Sequence, residues 1–287
     1  MRIKNFRKRF IGVLLLWLSI LLVVSPSYAA KKLEEIISPE AQLSKPLPKC
    51  QIFSGTHYSA RRNYDYTFNA SSKTDPETGE VHFQFSSPAY EIQATLDSAL
   101  RLEKAVYKNK NKDSINKHKH DQRIITLDPE TKDQITVEFF LEGKSVKQKQ
   151  IDYDYFTLYL GVAHVTLQAL LLNGIQDFNC DVILPDKAWR LNVDFKLIKS
   201  SDPPSLSPQY VFPEKFKEIV KSNAEYLVYE ATVKGTIGFF YKHKYYLVYK
   251  AEKPHDFVAY WGGDPERVEF IFTDGKVQEP ASEASSE

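Results

Sequence analysis

Residues 153–175, YDYFTLYLGVAHVTLQALLLNGI, form a dense apolar stretch that no proline interrupts. This pattern predicts a helix that ends at Asn173-Gly174, and the stretch is too apolar for a helix lying on a surface. We therefore expect a sheet to cover it. Within this helix we expect His164 to be a core residue with a satisfied hydrogen bond.

The segments on both sides of this stretch alternate apolar and polar residues, which is typical of strands. Residues 64–68 and 81–85 predict a hairpin, and YLVYEA at 226–231 is nearly repeated as YLVYKA at 246–251. Duplication explains that repeat, and so does convergence on good strand-forming residues. The predicted fold class is α+β: mostly antiparallel β, with a curved sheet or half-barrel wrapped around one or two helices.

The N-terminus has the three parts of a secretory signal peptide. Five basic residues within residues 2–9 precede an apolar run at 10–24, and Ser27-Tyr28-Ala29 places small residues where signal peptidase reads them. The run is shorter than the roughly 20 residues that span a bilayer, although an uncleaved anchor is the alternative. We expect export through the general secretory route, to the periplasm first and to the extracellular medium otherwise, with no transmembrane anchor after cleavage.

The composition divides the chain into four predicted parts and argues against nucleic acid as a partner. The parts are a signal peptide at 1–29, a leader or arm at 30–49, a single β-rich domain at 50–275 with a linker-like segment at 200–210, and a disordered acidic tail at 276–287. The chain has 38 basic and 37 acidic residues. Removing the five basic residues of the signal leaves 33 against 37, and this net charge of −4 disfavours nucleic acid binding.

Cys50 and Cys180 are the two cysteines of the chain, and both lie in the exported part. Outside the cytosol such a pair is a candidate disulfide. The bridge would close a loop of well over 100 residues, which the chain-entropy model values at about 5 kcal/mol. Two unrelated buried thiols are the alternative.

Motifs that carry catalysis are missing from the sequence, so it predicts no catalytic residue, metal or cofactor. The close pair His118 and His120 has no neighbouring ligand in a metal-binding pattern. Asp152 and Asp154 would share one face of a strand, and paired carboxylates can cleave glycosidic bonds. Acidic residues that precede a helix also cap it, which is the alternative for this pair.

Lysines are concentrated between residues 108 and 123. This segment could contact an anionic membrane surface, or it could be a solvated loop. The lysines concerned are Lys108, Lys110, Lys112, Lys117 and Lys119.

A half-closed sheet can leave a dry pocket beside its helix. We expect Leu167 and Leu171 of the helix, with Tyr229 and Tyr249 of the repeated strands, to line that pocket. The first functional hypothesis is therefore an exported, non-enzymatic envelope protein that binds a hydrophobic molecule or a protein or lipoprotein segment. The alternatives are an envelope scaffold without ligand, and a glycan-acting hydrolase that uses Asp152 or Asp154.

Three further stretches are LRLEKAVY at 100–107, DYFTLYL at 154–160 and YWGGDPERV at 260–268. They resemble segments of a family of exported bacterial proteins of unknown function, whose fold is similar to the periplasmic lipoprotein carriers LolA and LolB. The sequence departs from the family in its charged insertion at 108–123 and in lacking the usual proline of the final strand. The resemblance, across residues 60 to 275, implies a half-barrel around a helix and assigns no activity and no functional residue.

The signal peptide gives a direct prediction. Protein recovered from the exported fraction is expected to begin at Ala30, because cleavage should follow Ser27-Tyr28-Ala29. N-terminal sequencing measures this, and an intact Met1 would instead support the uncleaved anchor.

Overall fold

The structure is mostly β, as the alternating patterns predict. This computed structural model describes residues 30–36, 47–61, 64–154, 157–184, 188–220, 224–235, 238 and 243–278. Within them the strands are β1 (Cys50–Ser59), β2 (Tyr64–Thr74), β3 (Val81–Ser86), β4 (Tyr90–Leu96), β5 (Leu102–Asn109), β6 (Gln122–Leu127), β7 (Gln134–Leu141), β8 (Lys144–Asp152), β9 (Leu158–Tyr159), β10 (Phe178–Leu184), β11 (Trp189–Ser200), β12 (Tyr226–Val233), β13 (Lys244–Lys250), β14 (Phe257–Gly262) and β15 (Glu269–Gln278).

Short helices accompany these strands. They are α1 (Leu33–Ile36), α2 (Lys112–His118), α3 (Ala163–Leu172) and α4 (Glu214–Val220), with 3₁₀ turns at Leu160–Val162 and Pro203–Leu206. No helix in the described ranges is long and apolar enough to cross a membrane. The predicted signal peptide lies outside the described residues.

All fifteen described strands belong to one sheet, in the order β8-β7-β6-β5-β4-β3-β2-β1-β15-β14-β13-β12-β11-β10-β9. The pairs are antiparallel, apart from the short parallel pair β9–β10. The chain therefore runs outward from β1 to one edge at β8. It then restarts at the opposite edge with β9 and returns strand by strand until β15 pairs with β1.

The connection between the two edges forces the sheet to curve. Laid flat, fifteen strands spaced about 4.8 Å apart would separate β8 from β9 by about 67 Å. Residues 153–157 join these strands, and a chain of that length spans at most about 22 Å. The sheet must therefore curl until its edges come close together, which gives an open, barrel-like arrangement.

The central helix α3 lies inside this curve. One of its sides, including Val165 and Ala169, packs in a cluster with β1–β7. The other, including Leu167 and Leu171, packs in a second cluster with β10–β13. Because the sheet covers the helix on both sides, the helix can be apolar around its whole circumference, as the sequence predicts.

The helix is shorter than the predicted 153–175. Leu158 and Tyr159 instead pair with β10 as β9, and Leu160–Val162 form a 3₁₀ turn before α3 begins. This two-residue strand forms the second edge of the sheet. Its pairing with β10 outweighs the helical tendency of the local apolar pattern.

Strands β12 to β15 are covered on their outer face as well. Tyr210, Phe212 and Phe216 form a third cluster with Val228 and Val248 on that face. Residues 200–210, which the sequence predicts to be linker-like, are packed against the sheet instead. This segment holds a 3₁₀ turn, the fully buried Ser207 and the buried Tyr210. It starts the outer cover that α4 completes.

The predicted ends of the domain also shift. Leu33 of the predicted leader is buried against the second cluster, and Lys32 bridges to Asn179 of β10. At the other end β15 continues to Gln278, so it includes the first residues of the predicted tail.

The expected disulfide between Cys50 and Cys180 is not formed, and both cysteines are free thiols. Cys50 begins β1, while Cys180 is buried in β10 among the side chains of the second cluster. Five strands separate β1 from β10 in the sheet order. Burial, with Asp181 and Asp154 nearby, raises the pKa of the Cys180 thiol well above its ordinary value, so this thiol is protonated at neutral pH.

A ladder of aromatic rings crosses the inner face of β2–β5. Phe68 stacks on Phe85 at 4.9 Å between centroids, Phe85 on Tyr90 at 4.9 Å, and Tyr90 on Tyr107 at 5.3 Å. The guanidinium of Arg123 lies 3.8 Å above the ring of Tyr107 and ends the ladder. Successive aromatic residues are diagonal neighbours in register, an arrangement that brings large side chains within reach across a twisted sheet.

Gly55 begins this ladder. It lies opposite Phe68 in the β1–β2 pair, beside a bulge in the β1–β15 pair. A Cβ at this position would lie 2.2 Å from the carbonyl oxygen of Phe272 and 2.6 Å from the Phe68 ring. The absence of a side chain therefore lets the first ring of the ladder lie directly against β1.

Replacing Gly55 by alanine is expected to lower the free energy of unfolding by about 3 kcal/mol, because the backbone carbonyl of Phe272 cannot move away cheaply. Gly143 is the matched control: its φ is +75° but open space surrounds it, so Gly143→Ala should cost only about 1 kcal/mol. Urea unfolding measures both, and equal losses would contradict the close-packing explanation.

Candidate functional site

Two cavities lie beside the start of the central helix. The first has a volume of about 290 Å³, and we call it the aromatic cavity. The second has a volume of about 280 Å³, and we call it the aliphatic cavity. Leu160, Leu247 and Tyr260 line both of them, so the two spaces share one wall.

The aromatic cavity takes most of its wall from the ring ladder and its neighbours. These rings are Phe53, Phe68, Phe83, Phe85, Tyr90, Tyr107, Phe257 and Tyr260. Because Phe85 and Tyr90 are stacked on both faces by other rings, they turn their edges to the cavity. A ring edge carries partial positive charge, whereas a ring face carries partial negative charge. These two rings therefore do not offer their faces to a bound cation.

The aliphatic cavity has a different lining. Its wall is made mainly of branched side chains from β10, β11 and β12, with Ala163 from the helix; the strand residues include Val182, Leu184, Leu191, Val193, Ala231 and Val233. None of its described lining residues is charged. Such a surface binds hydrocarbon through dispersion and the release of water.

One polar group lies on the wall of the aromatic cavity. His57 on β1 and Glu269 on β15 are 212 residues apart, and the His57 Nε2 lies 3.1 Å from the Glu269 Oε2. Tyr66 on β2 lies opposite His57 in register, and its hydroxyl contacts the His57 Nδ1. A carboxylate only accepts hydrogen bonds, so the His57 Nε2 donates to Glu269; in the tautomer that carries its proton on Nε2, the His57 Nδ1 accepts from the Tyr66 hydroxyl.

Tyr90 extends this group into the cavity. Its ring lies edge-on to that of Tyr66, with the two centroids 6.4 Å apart. Burial, together with the neighbouring Tyr66, Tyr107 and Glu269, raises the pKa of the Tyr90 phenol well above its ordinary value. The phenol is therefore neutral at physiological pH. Polar contacts thus run from Tyr66 through His57 to the Glu269 carboxylate, whose side chain is 54% exposed, and Tyr90 lies beside Tyr66.

His164 is the second histidine on this wall. Its ring lies between Phe83 and Phe257, each with its centroid 5.0 Å away, and its buried Nε2 has no hydrogen-bond partner among the described residues. The prediction of a core histidine with a satisfied hydrogen bond is therefore wrong for this atom. Burial lowers the pKa of His164 from its ordinary range to about 4, so the ring is uncharged at neutral pH.

The four residues predicted to bind a ligand are close together but belong to the packed core. Leu167, Leu171, Tyr229 and Tyr249 all lie in the second cluster, and none of them lines either cavity. The Tyr229 hydroxyl donates to the Ile175 carbonyl at 2.6 Å, and that of Tyr249 donates to the His164 carbonyl at 2.9 Å. These tyrosines hold the central helix in place, and the cavities begin beside them.

Asp152 and Asp154 do not form a catalytic pair in this structure. Asp152 is exposed at the end of β8, and its carbonyl oxygen accepts a hydrogen bond from Arg190. The Asp154 carboxylate is paired with Arg190 and accepts from the Thr157 hydroxyl at 2.7 Å. Neither residue caps a helix, because the next helical turn begins at Leu160. Arg190 instead links the two edges of the sheet through Asp152, Asp154 and Asp181.

The lysines predicted to contact an anionic surface are spread along the chain from β5 to the C-cap of α2. Lys108, Lys112 and Lys119 are exposed, Lys110 pairs with Glu91 at 2.7 Å, and the Lys117 side chain is not among the described ones. The predicted loop contains α2, whose N-cap is Asn111. In the described part of the chain, no group of three or more His, Cys, Asp or Glu side chains could hold a metal ion.

The comparisons with known proteins give a structural likeness but no sequence match. No family model matches the sequence, and no curated protein matches it. Among solved structures, the chain is similar to the crystal structure of a beta-barrel-like protein of domain of unknown function DUF1849 from Brucella abortus. The two are 6% identical with a TM-score of 0.44, and the match covers 82% of this chain and 100% of that chain. The resemblance to LolA and LolB stays a prediction.

His164, whose Nε2 is buried, makes stability depend on pH. Its pKa is about 4 in the folded protein and about 6.5 in the unfolded chain, so the unfolded chain alone takes up the proton between these values. As pH falls from 6.5 to 4, the native protein should lose about 3 kcal/mol that a His164→Leu variant keeps. Urea unfolding of both proteins between pH 7 and pH 4 tests this, and parallel losses would contradict it.

Proposed function

We propose that this protein binds a small apolar molecule in the aromatic and aliphatic cavities, without chemical change to that molecule. The observation that carries the proposal is the pair of adjoining cavities on the inner side of a curved sheet. Their volumes lie near the lower end of the range for small-molecule sites, about 300–1,000 Å³.

The linings favour apolar occupants over water. Water in a cavity needs about three hydrogen-bond partners, and the described wall of the aliphatic cavity is almost wholly apolar. Each methylene group that leaves water for such a surface contributes about 0.8 kcal/mol. A ligand whose chain or ring reaches the wall shared by the two cavities would bury apolar surface in both of them.

A binding role also fits the polar groups better than hydrolysis does. Asp154 is held by Arg190 at the junction of the sheet edges, and neither it nor Asp152 lines either cavity. The glycan-hydrolase alternative therefore has no support from this geometry. The scaffold alternative remains the outcome if no ligand binds.

The proposed place of action is the cell envelope. The signal-like N-terminus supports export through the general secretory route, with the periplasm as the first expectation. An exported protein with an internal apolar site could keep a hydrophobic molecule, or an apolar segment of an envelope protein, out of water.

The uncharged probe N-phenyl-naphthylamine should bind saturably, with a rise in its fluorescence. Filling the aromatic cavity with Ile92→Trp should weaken its binding at least about tenfold, because Ile92 lines that cavity. Gln93→Trp is the matched control, since Gln93 is the next residue of β4 and is exposed on the opposite face.

The aliphatic cavity has its own matched pair. Ala231→Phe should fill it, whereas Thr232→Phe places the same ring on the other face of β12. Fluorescence titration measures all four variants, with circular dichroism to confirm folding. Absence of saturable binding by the folded native protein would refute the proposal and favour the scaffold.

A further inference from the structure

We infer that the ligand of the aromatic cavity is an apolar molecule with one uncharged hydroxyl group, a phenol or an alcohol on a hydrocarbon skeleton, and that this hydroxyl is hydrogen-bonded to the His164 Nε2. The inference rests on the proposed function and specifies the class of ligand. It is carried by a buried nitrogen of a cavity-lining residue that has no partner among the described residues.

His164 has a nitrogen whose hydrogen-bonding capacity is not used in the described part of the chain. The residue lines the aromatic cavity, and its Nε2 is buried without a hydrogen-bond partner there. Buried polar atoms of native proteins are almost always paired, because leaving such an atom unpaired costs free energy. A polar group on a ligand that enters the cavity would remove this cost.

Three phenylalanine rings surround the imidazole. The centroids of Phe53, Phe83 and Phe257 lie 6.1, 5.0 and 5.0 Å from its own, and all three residues line the same cavity. A ring face accepts an N–H only weakly. Water in a cavity needs several polar partners, and these rings offer it none. A hydroxyl that enters on an apolar ligand is therefore a better partner for Nε2 than water is.

The imidazole is held in place before a ligand binds. The phenylalanine rings restrict its side chain, and the Tyr249 hydroxyl donates to the His164 carbonyl oxygen at 2.9 Å. One turn further along the helix, the Gln168 side chain donates to the Pro254 carbonyl oxygen at 2.9 Å. The ligand therefore meets a nitrogen whose position is preorganised, and little ordering of the protein opposes binding.

A hydroxyl group matches this nitrogen in either tautomer of the ring. A neutral imidazole has one N–H and one lone pair, and a hydroxyl can both accept and donate a hydrogen bond. Burial lowers the pKa of His164 to about 4, so the ring is neutral at physiological pH. A charged head would have to leave water beside three phenylalanine rings, and burying an ionised group costs far more than burying a hydroxyl.

Two molecules of matched shape test this inference. 4-Propylphenol and 4-propyltoluene share a ring and a tail, and a hydroxyl of the first replaces a methyl group of the second. Both are used to displace N-phenyl-naphthylamine from the native protein at pH 7. In a purely apolar site the methyl compound binds more tightly, because it gains more on leaving water. A hydrogen bond to His164 should reverse this order, so 4-propylphenol should compete at least about threefold more strongly.

Variants of two histidines assign the effect to one side chain. His164→Phe keeps an aromatic ring but removes both ring nitrogens, so 4-propyltoluene should regain the advantage. His82→Phe is the matched control: it makes the same change on the exposed face of β3, beside the cavity residue Phe83, and should leave the native order unchanged. The two affinities are compared within each variant, so a change in probe affinity does not affect the result.

Nitrogen NMR of the native protein gives a second measurement that needs no variant. The His164 imidazole is recognised because it stays neutral until the pH falls to about 4. At pH 7, 4-propylphenol should shift its Nε2 resonance by more than 4-propyltoluene does, since the phenol alone forms a hydrogen bond to that nitrogen.

The outcomes separate the two levels of the proposal. Equal competition by the two molecules, an advantage of 4-propyltoluene in the native protein, or an advantage of 4-propylphenol that survives His164→Phe overturns the inference while leaving apolar binding in place. An Nε2 resonance that 4-propylphenol does not shift also overturns it. Failure of the folded native protein to bind the probe overturns the proposed function itself.

Discussion

The connection of residues 153–157 between the two edge strands is the constraint on which the rest of the structure depends. Five residues cannot span the width of a flat fifteen-stranded sheet, so the sheet curls until β8 and β9 approach each other. That curl creates an interior, and the central helix follows directly after β9 to fill it. Arg190 then fastens the junction through Asp154 and Asp181.

The cavities arise because one helix of ten residues does not fill the interior. At the start of the helix, beyond Leu160, the walls are rings and branched aliphatic side chains with nothing between them. On one wall, Gly55 leaves room for Phe68, and the ladder that follows fixes the ring orientations. The shape and the electrostatic character of the aromatic cavity therefore depend on a position that contributes no side chain of its own.

Local patterns predicted much of the fold. Alternation in β2 and β3, the repeated YLVY strands and the apolar central stretch were each detectable within a few residues, because strand and helix periodicity are local properties. The linker composition of 200–210 was misleading: its prolines and serines form a packed cover whose partners lie on β12 to β15. The disulfide prediction used compartment and count alone, and these carry no information about the distance between β1 and β10.

The candidate site could be predicted from the sequence much less well than the fold. His57 and Glu269 become neighbours only because β15 returns to pair with β1, and no local motif marks either residue. The choice of Leu167, Leu171, Tyr229 and Tyr249 named residues of the helix and strands that border the cavities. It did not distinguish side chains that close the core from those beside an unfilled space, since both kinds are apolar and follow the same period.

The double covering of β12 and β13 bears on the history of the repeated YLVY. In both strands the tyrosine and valine at alternate positions face the outer cover, and the leucine and the second tyrosine face the central helix. Adjacent strands in the same two-sided environment accept the same few residue types at matching positions. Selection for packing alone is therefore enough to produce the repetition, and an ancestral gene duplication is not needed to account for it.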